Sequence, residues 1–158
     1  MFTCDLQCTD QDAVIVTHIA TDNFQGGRLA GEAMVGLLGE TGGEVLVLTL
    51  PSAESCVLRV QGFKQVLDAH NVKTDDDIII VAELGSMGQK ERGYSTTIDA
   101  LEQHPGIDAI FAINDPAALG AYQATVKAGR KGEISIIGFD GQLEGKQAIK
   151  DGKIFADP

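Results

Sequence analysis

The sequence of 158 residues has few basic side chains and no large cluster of them. Twelve Lys and Arg stand against 23 Asp and Glu, which gives a formal net charge of −11, and the one basic stretch is GRKG at 129–132. Surfaces that bind nucleic acids or anionic membranes need grouped Lys and Arg to neutralise phosphates. We therefore expect no nucleic-acid partner, and favour small neutral or cationic ligands or other proteins.

Long apolar runs and metal-binding patterns are also missing. No apolar stretch reaches the roughly 20 residues that cross a bilayer. The first ten residues, MFTCDLQCTD, have neither a basic segment nor an apolar core, so no signal peptide is expected. Cys4, Cys8 and Cys56 do not give the paired spacing of a zinc site. We expect neither a metal nor a cofactor.

Signatures of catalysis are absent from the sequence as well. It contains no GxSxG, no Walker A motif and no GxGxxG after a predicted strand. His18, His70 and His104 stand beside no candidate nucleophile. A phosphate-accepting receiver site needs a Lys after the last strand, where this sequence has Asp140. The sequence therefore predicts a binding protein and not an enzyme.

Short apolar runs alternate with helical patterns along nearly the whole chain. The runs are rich in β-branched residues and lie at 13–20, 44–50, 77–84, 109–113 and 134–139. This composition is typical of strands that are buried on both faces of a parallel sheet. The segments between them carry apolar residues at helical spacing. Repeated βα units predict an α/β fold, a doubly wound parallel sheet flanked by helices on both faces.

Polar residues follow the predicted strands, and two of them stand out. Asn114 ends the strand in FAINDPAALGAY and Asp140 ends the strand in IIGFDG, while Arg59 lies in the helix after the second strand. Ligands of open α/β sheets bind outside the carboxyl ends of the strands. Helix capping is the alternative role of Asn114 and Asp140. Capping is the favoured interpretation of three further residues, Asp22, Asn23 and Asp115.

Arg59, Asn114 and Asp140 together have the chemistry that a polyol needs. A guanidinium group donates two parallel hydrogen bonds, a carboxylate accepts two, and an amide donates and accepts. Each hydroxyl of a vicinal pair is both donor and acceptor, so a polyol satisfies all three side chains. The residues alone therefore indicate a site for a hydroxyl-rich ligand.

Five segments resemble the ribose-type periplasmic sugar-binding proteins of ABC transporters. They are HIATDNFQGGRLAGE (18–32), RVQGF (59–63), HPGIDAIFAINDPAALGAYQA (104–124), IIGFDG (136–141) and AIKDGKIFA (148–156). The resemblance extends over essentially the whole chain and implies one flavodoxin-like lobe of a type I periplasmic binding protein. The sugar-responsive effector domains of LacI-type transcriptional repressors share this fold and similar motifs, and they are the alternative.

The resemblance implies two lobes that close on a sugar. This chain would supply the C-terminal lobe at 13–158, preceded at 1–12 by a stub of the missing N-terminal lobe, which we expect to be an unpaired strand. The family's sugar-binding positions fall on Asp5, Arg59, Asn114 and Asp140. Thr21 matches a position at the lobe crossover that often touches the ligand.

Further expectations follow from the same resemblance. Met87 stands where many members place an aromatic ring against the sugar. The ligand would be a small neutral pentose or hexose, and the partner would be the membrane permease of an ABC transporter. The full-length parent would be periplasmic. The particular sugar and the oligomeric state stay open.

Overall fold

The main sheet of the protein has four parallel strands. The structure is a computed structural model that describes residues 2–4, 8, 10 and 12–158. Its strand order is β4-β3-β5-β6. The strands are β3 Gly43–Thr49, β4 Ile78–Gly85, β5 Ile107–Ala112 and β6 Ser135–Ile137. Each overlaps one of the last four apolar runs of the sequence, so these strand predictions are confirmed.

Helices cover both faces of this sheet. They are α1 Asn23–Leu38, α2 Glu54–Asn71, α3 Lys90–Gln103, α4 Asp115–Lys127 and α5 Leu143–Lys150. Val45 and Val47 of β3 pack with α1 and α2, whereas Leu46 and Leu48 pack with α3 and α4. This alternation is what a strand buried on both faces requires. The predicted doubly wound fold is confirmed. Among the described residues, no helix combines the length and apolarity needed to cross a membrane.

Two glycines allow α1 and α2 to cross closely. A Cβ on Gly27 would lie 1.9 Å from the carbonyl oxygen of Arg59, and a Cβ on Gly62 would lie 2.1 Å from that of Phe24. Neither distance leaves room for any side chain, so only glycine permits this backbone approach. The crossing holds the Arg59 end of α2 beside the first turn of α1.

The first predicted strand does not join the main sheet. Only Thr17–Ile19 is a strand, β2, and it pairs in parallel with β1, Phe2–Cys4, in a separate two-stranded sheet. Val14, Val16 and Ile19 are 80%, 66% and 66% exposed, so the prediction of a buried strand is wrong. β-branched composition favours a strand but does not say what covers it. The expectation that the first residues are unpaired is also wrong, because β1 pairs with β2.

The C-terminal tail lengthens the sheet beside β6. Phe155 N donates to Ile136 O at 2.7 Å, and Gly138 N donates to Ala156 O at 2.9 Å. Ile137 and Ala156 form a parallel bridge. This pairing brings the last residues of the chain to the carboxyl ends of the strands.

Candidate ligand-binding site

The candidate site lies at the carboxyl edge of the four-stranded sheet. Asn114 follows β5, Asp140 follows β6, and Met87 follows β4. Arg59 reaches the same edge from α2 and contacts residues that follow β5 and β6. Because β5 and β6 are neighbours in the sheet, the segments that follow them lie side by side. The structure thus brings Arg59 and Asp140 into direct contact.

Arg59 is the centre of the polar network. Its side chain is only 10% exposed. Nη1 donates to Asp140 Oδ1 and to Ile113 O, both at 2.7 Å, and Nε donates to Asn23 Oδ1 at 2.8 Å. The guanidinium carbon lies 3.9 Å from the centre of the Phe139 ring, within cation–π distance. These contacts hold the buried arginine in one orientation and pair its charge.

Asp140 is the more accessible member of the ion pair, with a side chain that is 26% exposed. Burial raises the pKa of Asp140 above its usual value, and the charge and hydrogen bond of Arg59 act in the opposite direction. Its backbone is left-handed, with φ of 102°. A non-glycine residue in such a conformation is strained, and strain of this kind is often found at binding sites.

The ion pair keeps hydrogen-bonding capacity for a ligand. Within the described part of the chain, the hydrogen bonds of Arg59 use Nε and Nη1 and leave the two N–H groups of Nη2. An ionised carboxylate can accept about four hydrogen bonds, so Asp140 has further acceptor sites. The charges of the pair cancel, so the arrangement suits a neutral ligand that both donates and accepts.

The Asn114 amide caps the helix that follows it. Oδ1 accepts from Ala117 N at 3.1 Å at the start of α4, and Nδ2 donates to Gly88 O at 3.0 Å. The capping interpretation of Asn114 is therefore confirmed, and the same side chain ties the loop after β4 to α4. One amide N–H is left over for a ligand. Arg59 binds the carbonyl of the preceding residue, Ile113, so Asn114 adjoins the ion pair.

Met87 lies beside Asn114 at this edge. It is 51% exposed, and its φ of 54° is left-handed, as is the 64° of Gly88. A Cβ on Gly88 would lie 2.9 Å from Asn114 Nδ2, which is too close for an ordinary contact. Gly88 thus allows the amide to reach the loop, and the loop presents the Met87 side chain to solvent.

Thr21 is connected to the ion pair through Asn23. Asp5 lies outside the described residues. The Thr21 carbonyl accepts from Asn23 N at 2.9 Å and from Asn23 Nδ2 at 3.1 Å. Thr21 also borders a groove of about 190 Å³ together with Ser55 and Leu58. Since Asn23 also binds Arg59, one residue connects Thr21 to the network.

A pair of acidic residues lies behind Asp140. Asp115 is 1% exposed, and its Oδ2 accepts from Gln142 N at 2.8 Å. Asp157 Oδ1 accepts from Gly141 N at 3.2 Å. Burial, followed by the hydrogen bond and charge of Asp157, raises the pKa of Asp115 to about 7, against the lowering effect of the Gln142 N–H. Among the described residues no three His, Cys, Asp or Glu side chains are grouped to hold a metal ion.

The capping interpretation is wrong for Asn23 and Asp115. Asp22 caps α1 by accepting from Gln25 N at 2.9 Å, and Asn114 caps α4. Asn23 and Asp115, each one residue further on, are buried and bind segments distant in sequence. A helix needs only one capping side chain. When two residues of the capping type follow each other, as here, the sequence therefore indicates that the second has another role.

A family model described as a periplasmic binding protein domain matches residues 5–156. The chain belongs to the periplasmic binding protein family. Its relatives are substrate-binding proteins and not enzymes, which confirms the prediction that this chain is not an enzyme.

Curated relatives are similar over most of this chain. The ribose import binding protein RbsB of Salmonella typhimurium is 33% identical over 156 residues, which is 99% of this chain and 50% of the relative. The D-ribose/D-allose-binding protein of Pseudomonas aeruginosa is 31% identical over 153 residues, 96% of this chain and 46% of the relative. The chain spans about half the length of the curated relatives it matches.

Solved structures show the same lobe. An ABC transporter periplasmic solute binding protein from Actinobacillus succinogenes, with bound D-allose, superposes with a TM-score of 0.87 at 27% identity, covering 97% of this chain and 53% of that one. The Caulobacter myo-inositol binding protein, bound to myo-inositol, gives 0.87 and 27%, covering 97% and 51%. The resemblance to one lobe of a periplasmic sugar-binding protein is confirmed.

Proposed function

We propose that this chain binds a small neutral sugar, a pentose or hexose, as the C-terminal half of the solute-binding component of a sugar ABC transporter. The observation that carries the proposal is the Arg59–Asp140 ion pair at the sheet edge, at 2.7 Å. Vicinal hydroxyl groups can accept from Arg59 Nη2 and donate to the Asp140 carboxylate at the same time. The remaining N–H of Asn114 provides a third contact beside them.

Three further residues are proposed as secondary contacts. Met87 offers an apolar side chain to a sugar face at the end of the loop after β4. Thr21 offers its hydroxyl at the other side of the network, next to Asn23. Asp5, which the resemblance alone assigns, would add a second carboxylate. An uncharged ligand suits this site because the Arg59 charge is already paired and the chain carries a net charge of −11.

A complementary N-terminal lobe would supply the other wall of the site. The chain covers about half of its relatives, and apolar side chains near its start are exposed, with Phe2 at 73% and Val14 at 80%. We assign residues 1–12 to that lobe and, of 13–158, all but β2 to the lobe described here, because β2 pairs with β1 and not with the main sheet. A sugar held between the lobes would favour the closed state, which a membrane permease would recognise in the periplasm.

The alternative is the sugar-responsive effector domain of a LacI-type repressor. It would use the same fold and the same ligand chemistry. The transporter assignment is favoured because the relatives named above include a ribose import protein and an ABC transporter solute binding protein.

Calorimetric titration of this chain with D-ribose, D-allose and myo-inositol tests the proposal. One lobe supplies only part of the hydrogen bonds and desolvation, so we expect a Kd of about 1 mM or weaker. Arg59→Ala should abolish the binding. Arg130→Ala is the matched control, because Arg130 binds Glu133 and Pro105 O near the amino ends of the strands. Equal binding by the wild type and Arg59→Ala would contradict the proposed site.

A further inference from the structure

The loop 140–142 is held by carboxyl groups from two other segments. Gly141 N donates to Asp157 Oδ1 at 3.2 Å, and Gln142 N donates to Asp115 Oδ2 at 2.8 Å. Asp157 belongs to the C-terminal tail and Asp115 is the first residue of α4. Two consecutive N–H groups are thus bound directly after Asp140, whose left-handed φ of 102° needs support from its surroundings.

The other oxygen of each of these two carboxyl groups is buried and has no donor among the described residues. These oxygens are Asp115 Oδ1 and Asp157 Oδ2. A proton on one of these carboxyl groups can be donated to the other, and the interaction with Asp157 raises the pKa of Asp115. Both carboxyl groups lie close to Gly138. A Cβ on this glycine would lie 3.3 Å from Asp115 Oδ1 and 3.6 Å from Asp157 Oδ1. Two carboxyl groups whose buried oxygens receive no other donor disfavour double ionisation, so their support of the loop depends on a proton.

Among the described residues, no Lys, Arg or His forms an ion pair with Asp115 or Asp157 in place of that proton. Two acids act on the charge of Asp115, namely Asp157 of the tail and Asp140 of the 140–142 loop. The other charged side chains at this edge are Arg59 of α2 and Glu144 and Lys146 of α5. Arg59 is paired with Asp140, and α5 contributes one acid and one base near its start. Ionisation of both members of the acid pair would therefore be opposed by their mutual repulsion.

We propose that Asp115 and Asp157 form a proton-dependent clamp that positions Asp140 for ligand, and that loss of the shared proton releases the loop 140–142 and weakens sugar binding. The effect on binding rests on the proposed function. Asp115 and Asp157 act as positioning residues, because they contact the loop and not the ligand. Burial of Asp115, which raises its pKa to about 7, puts the release near neutral pH.

Carboxyl and amide NMR of this chain tests the clamp without any ligand. The Asp115 carboxyl carbon and the Gly141 and Gln142 amides would be followed from about pH 5 to about pH 9. We expect the carboxyl to titrate near pH 7 and both amides to shift with the same midpoint. Hydrogen-exchange protection of the two amides should fall about tenfold above that midpoint, as expected for a loop that opens locally.

The variant Asp157→Asn separates a shared proton from simple burial. Its amide oxygen still accepts from Gly141 N, but the second acid is gone, so the Asp115 midpoint should fall and the loop amides should no longer shift near neutral pH. Asp151→Asn is the control, because Asp151 is an exposed carboxylate paired with Lys153. An unchanged Asp115 midpoint in Asp157→Asn, or loop amides that do not follow Asp115, would overturn the clamp.

Titration with D-ribose at several pH values tests the coupling to binding. Affinity should fall several-fold from about pH 6 to about pH 8 in the wild type and should not fall in Asp115→Asn, which has no proton to lose at residue 115. Ionisation of Asp140 acts in the other direction, since rising pH favours its charged form. A wild-type affinity that is constant while Asp115 titrates would contradict the coupling. Absence of binding at every pH would instead contradict the proposed function, and the NMR titration would still decide the clamp.

Discussion

Asp140 and Asp115 lie at the same edge of the sheet, but the partner of Asp140 is a base and the partner of Asp115 is an acid. Asp140 is paired with Arg59 at 2.7 Å, while the side chain that interacts with Asp115 is a second acid, Asp157. Burial raises the pKa of both carboxyl groups; Arg59 counteracts the rise at Asp140, and Asp157 adds to it at Asp115. The partner therefore decides which form is favoured: Arg59 favours the charged form of Asp140, and Asp157 favours the neutral form of Asp115.

Two different tasks follow from this contrast. A carboxylate that is already paired with a fixed cation can bind hydroxyl groups without reorganisation when a ligand arrives. A protonated acid behind it can bind backbone N–H groups without adding a second negative charge next to Asp140. In the proposed site, one ion pair would recognise the ligand and one singly protonated acid pair would support the loop.

Removal of the cation should have the largest effect. We expect Arg59→Met to lower the free energy of unfolding by about 4 kcal/mol, because Asp140 is left partly buried without its cation and Asn23 loses its donor. Urea denaturation near pH 6 measures the loss. Arg130→Met removes a partly exposed ion pair with Glu133 and should cost under about 1 kcal/mol. Similar losses in the two variants would show that the Arg59 pair is not special.

Neutralising Asp115 should have the next largest effect, and it depends on pH. The folded chain holds the Asp115 proton up to a pKa of about 7, whereas the unfolded chain loses it near the usual 3.8. The contribution of Asp115 to the free energy of unfolding therefore falls as pH rises between these values and is constant above them. Asp115→Asn does not lose a proton, so at about pH 8 it should be more stable than the wild type, by no more than about 4 kcal/mol, the full effect of this pKa difference.

Thermal or urea unfolding of the wild type and Asp115→Asn at several pH values checks this prediction. The two proteins should have nearly equal stability at about pH 4, where both side chains are neutral. Asp151→Asn serves as the control, because Asp151 is exposed on the surface. A difference between the wild type and Asp115→Asn that is the same at acid and alkaline pH would contradict the raised pKa.

Neutralising Asp140 leaves Arg59 without its anion and puts an uncharged side chain at position 140. Asp140→Asn keeps an acceptor for Arg59 Nη1 and also tolerates a positive φ, but it removes the counter-ion of a buried arginine. We expect a loss of roughly 2 kcal/mol in unfolding free energy together with weaker sugar binding. Asp99→Asn, on the exposed face of α3, should change neither quantity. Unchanged stability in Asp140→Asn would mean that the pair contributes through hydrogen bonding alone.

The smallest effect on stability is expected from substitution of Asn114, which lies directly before Asp115 and next to the residue whose carbonyl binds Arg59. Asn114→Ala removes the cap of α4 and the bond to Gly88 O, at a cost of about 1 kcal/mol. Asn114→Asp keeps the cap and loses only the donor to Gly88. Differential scanning calorimetry should therefore place the unfolding temperature of Asn114→Asp above that of Asn114→Ala. The reverse order would show that the contact with Gly88 matters more than the cap.

The sequence was sufficient to predict the location of residues that end buried strands. Asn114 and Asp140 each follow an apolar run, and parallel strands bring their carboxyl ends to one edge, so their location could be predicted from the chain alone. Arg59 was recognisable because apolar neighbours surround it in its helix. The pattern did not decide between capping and binding at Asn114, because one amide can do both.

Two features depend on contacts that no local pattern encodes. Asp115 and Asp157 are brought together only because the tail pairs beside β6, and a tail of a few residues shows no strand periodicity. The run that includes Val14 and Val16 has strand composition, yet those side chains are exposed. Composition predicts the tendency to form a strand, and the location of the strand depends on the rest of the molecule.

The central claim is that a neutral sugar binds at the carboxyl edge of the sheet through the Arg59–Asp140 pair. Chemical-shift mapping of the isotope-labelled chain, titrated with D-ribose, D-allose or myo-inositol, tests this claim most directly. At least one of these sugars should shift the Arg59 Nε–H signal and the amides of Asn114 and loop 140–142. Shifts confined to the amino ends of the strands, or none with any of the three, would contradict the account.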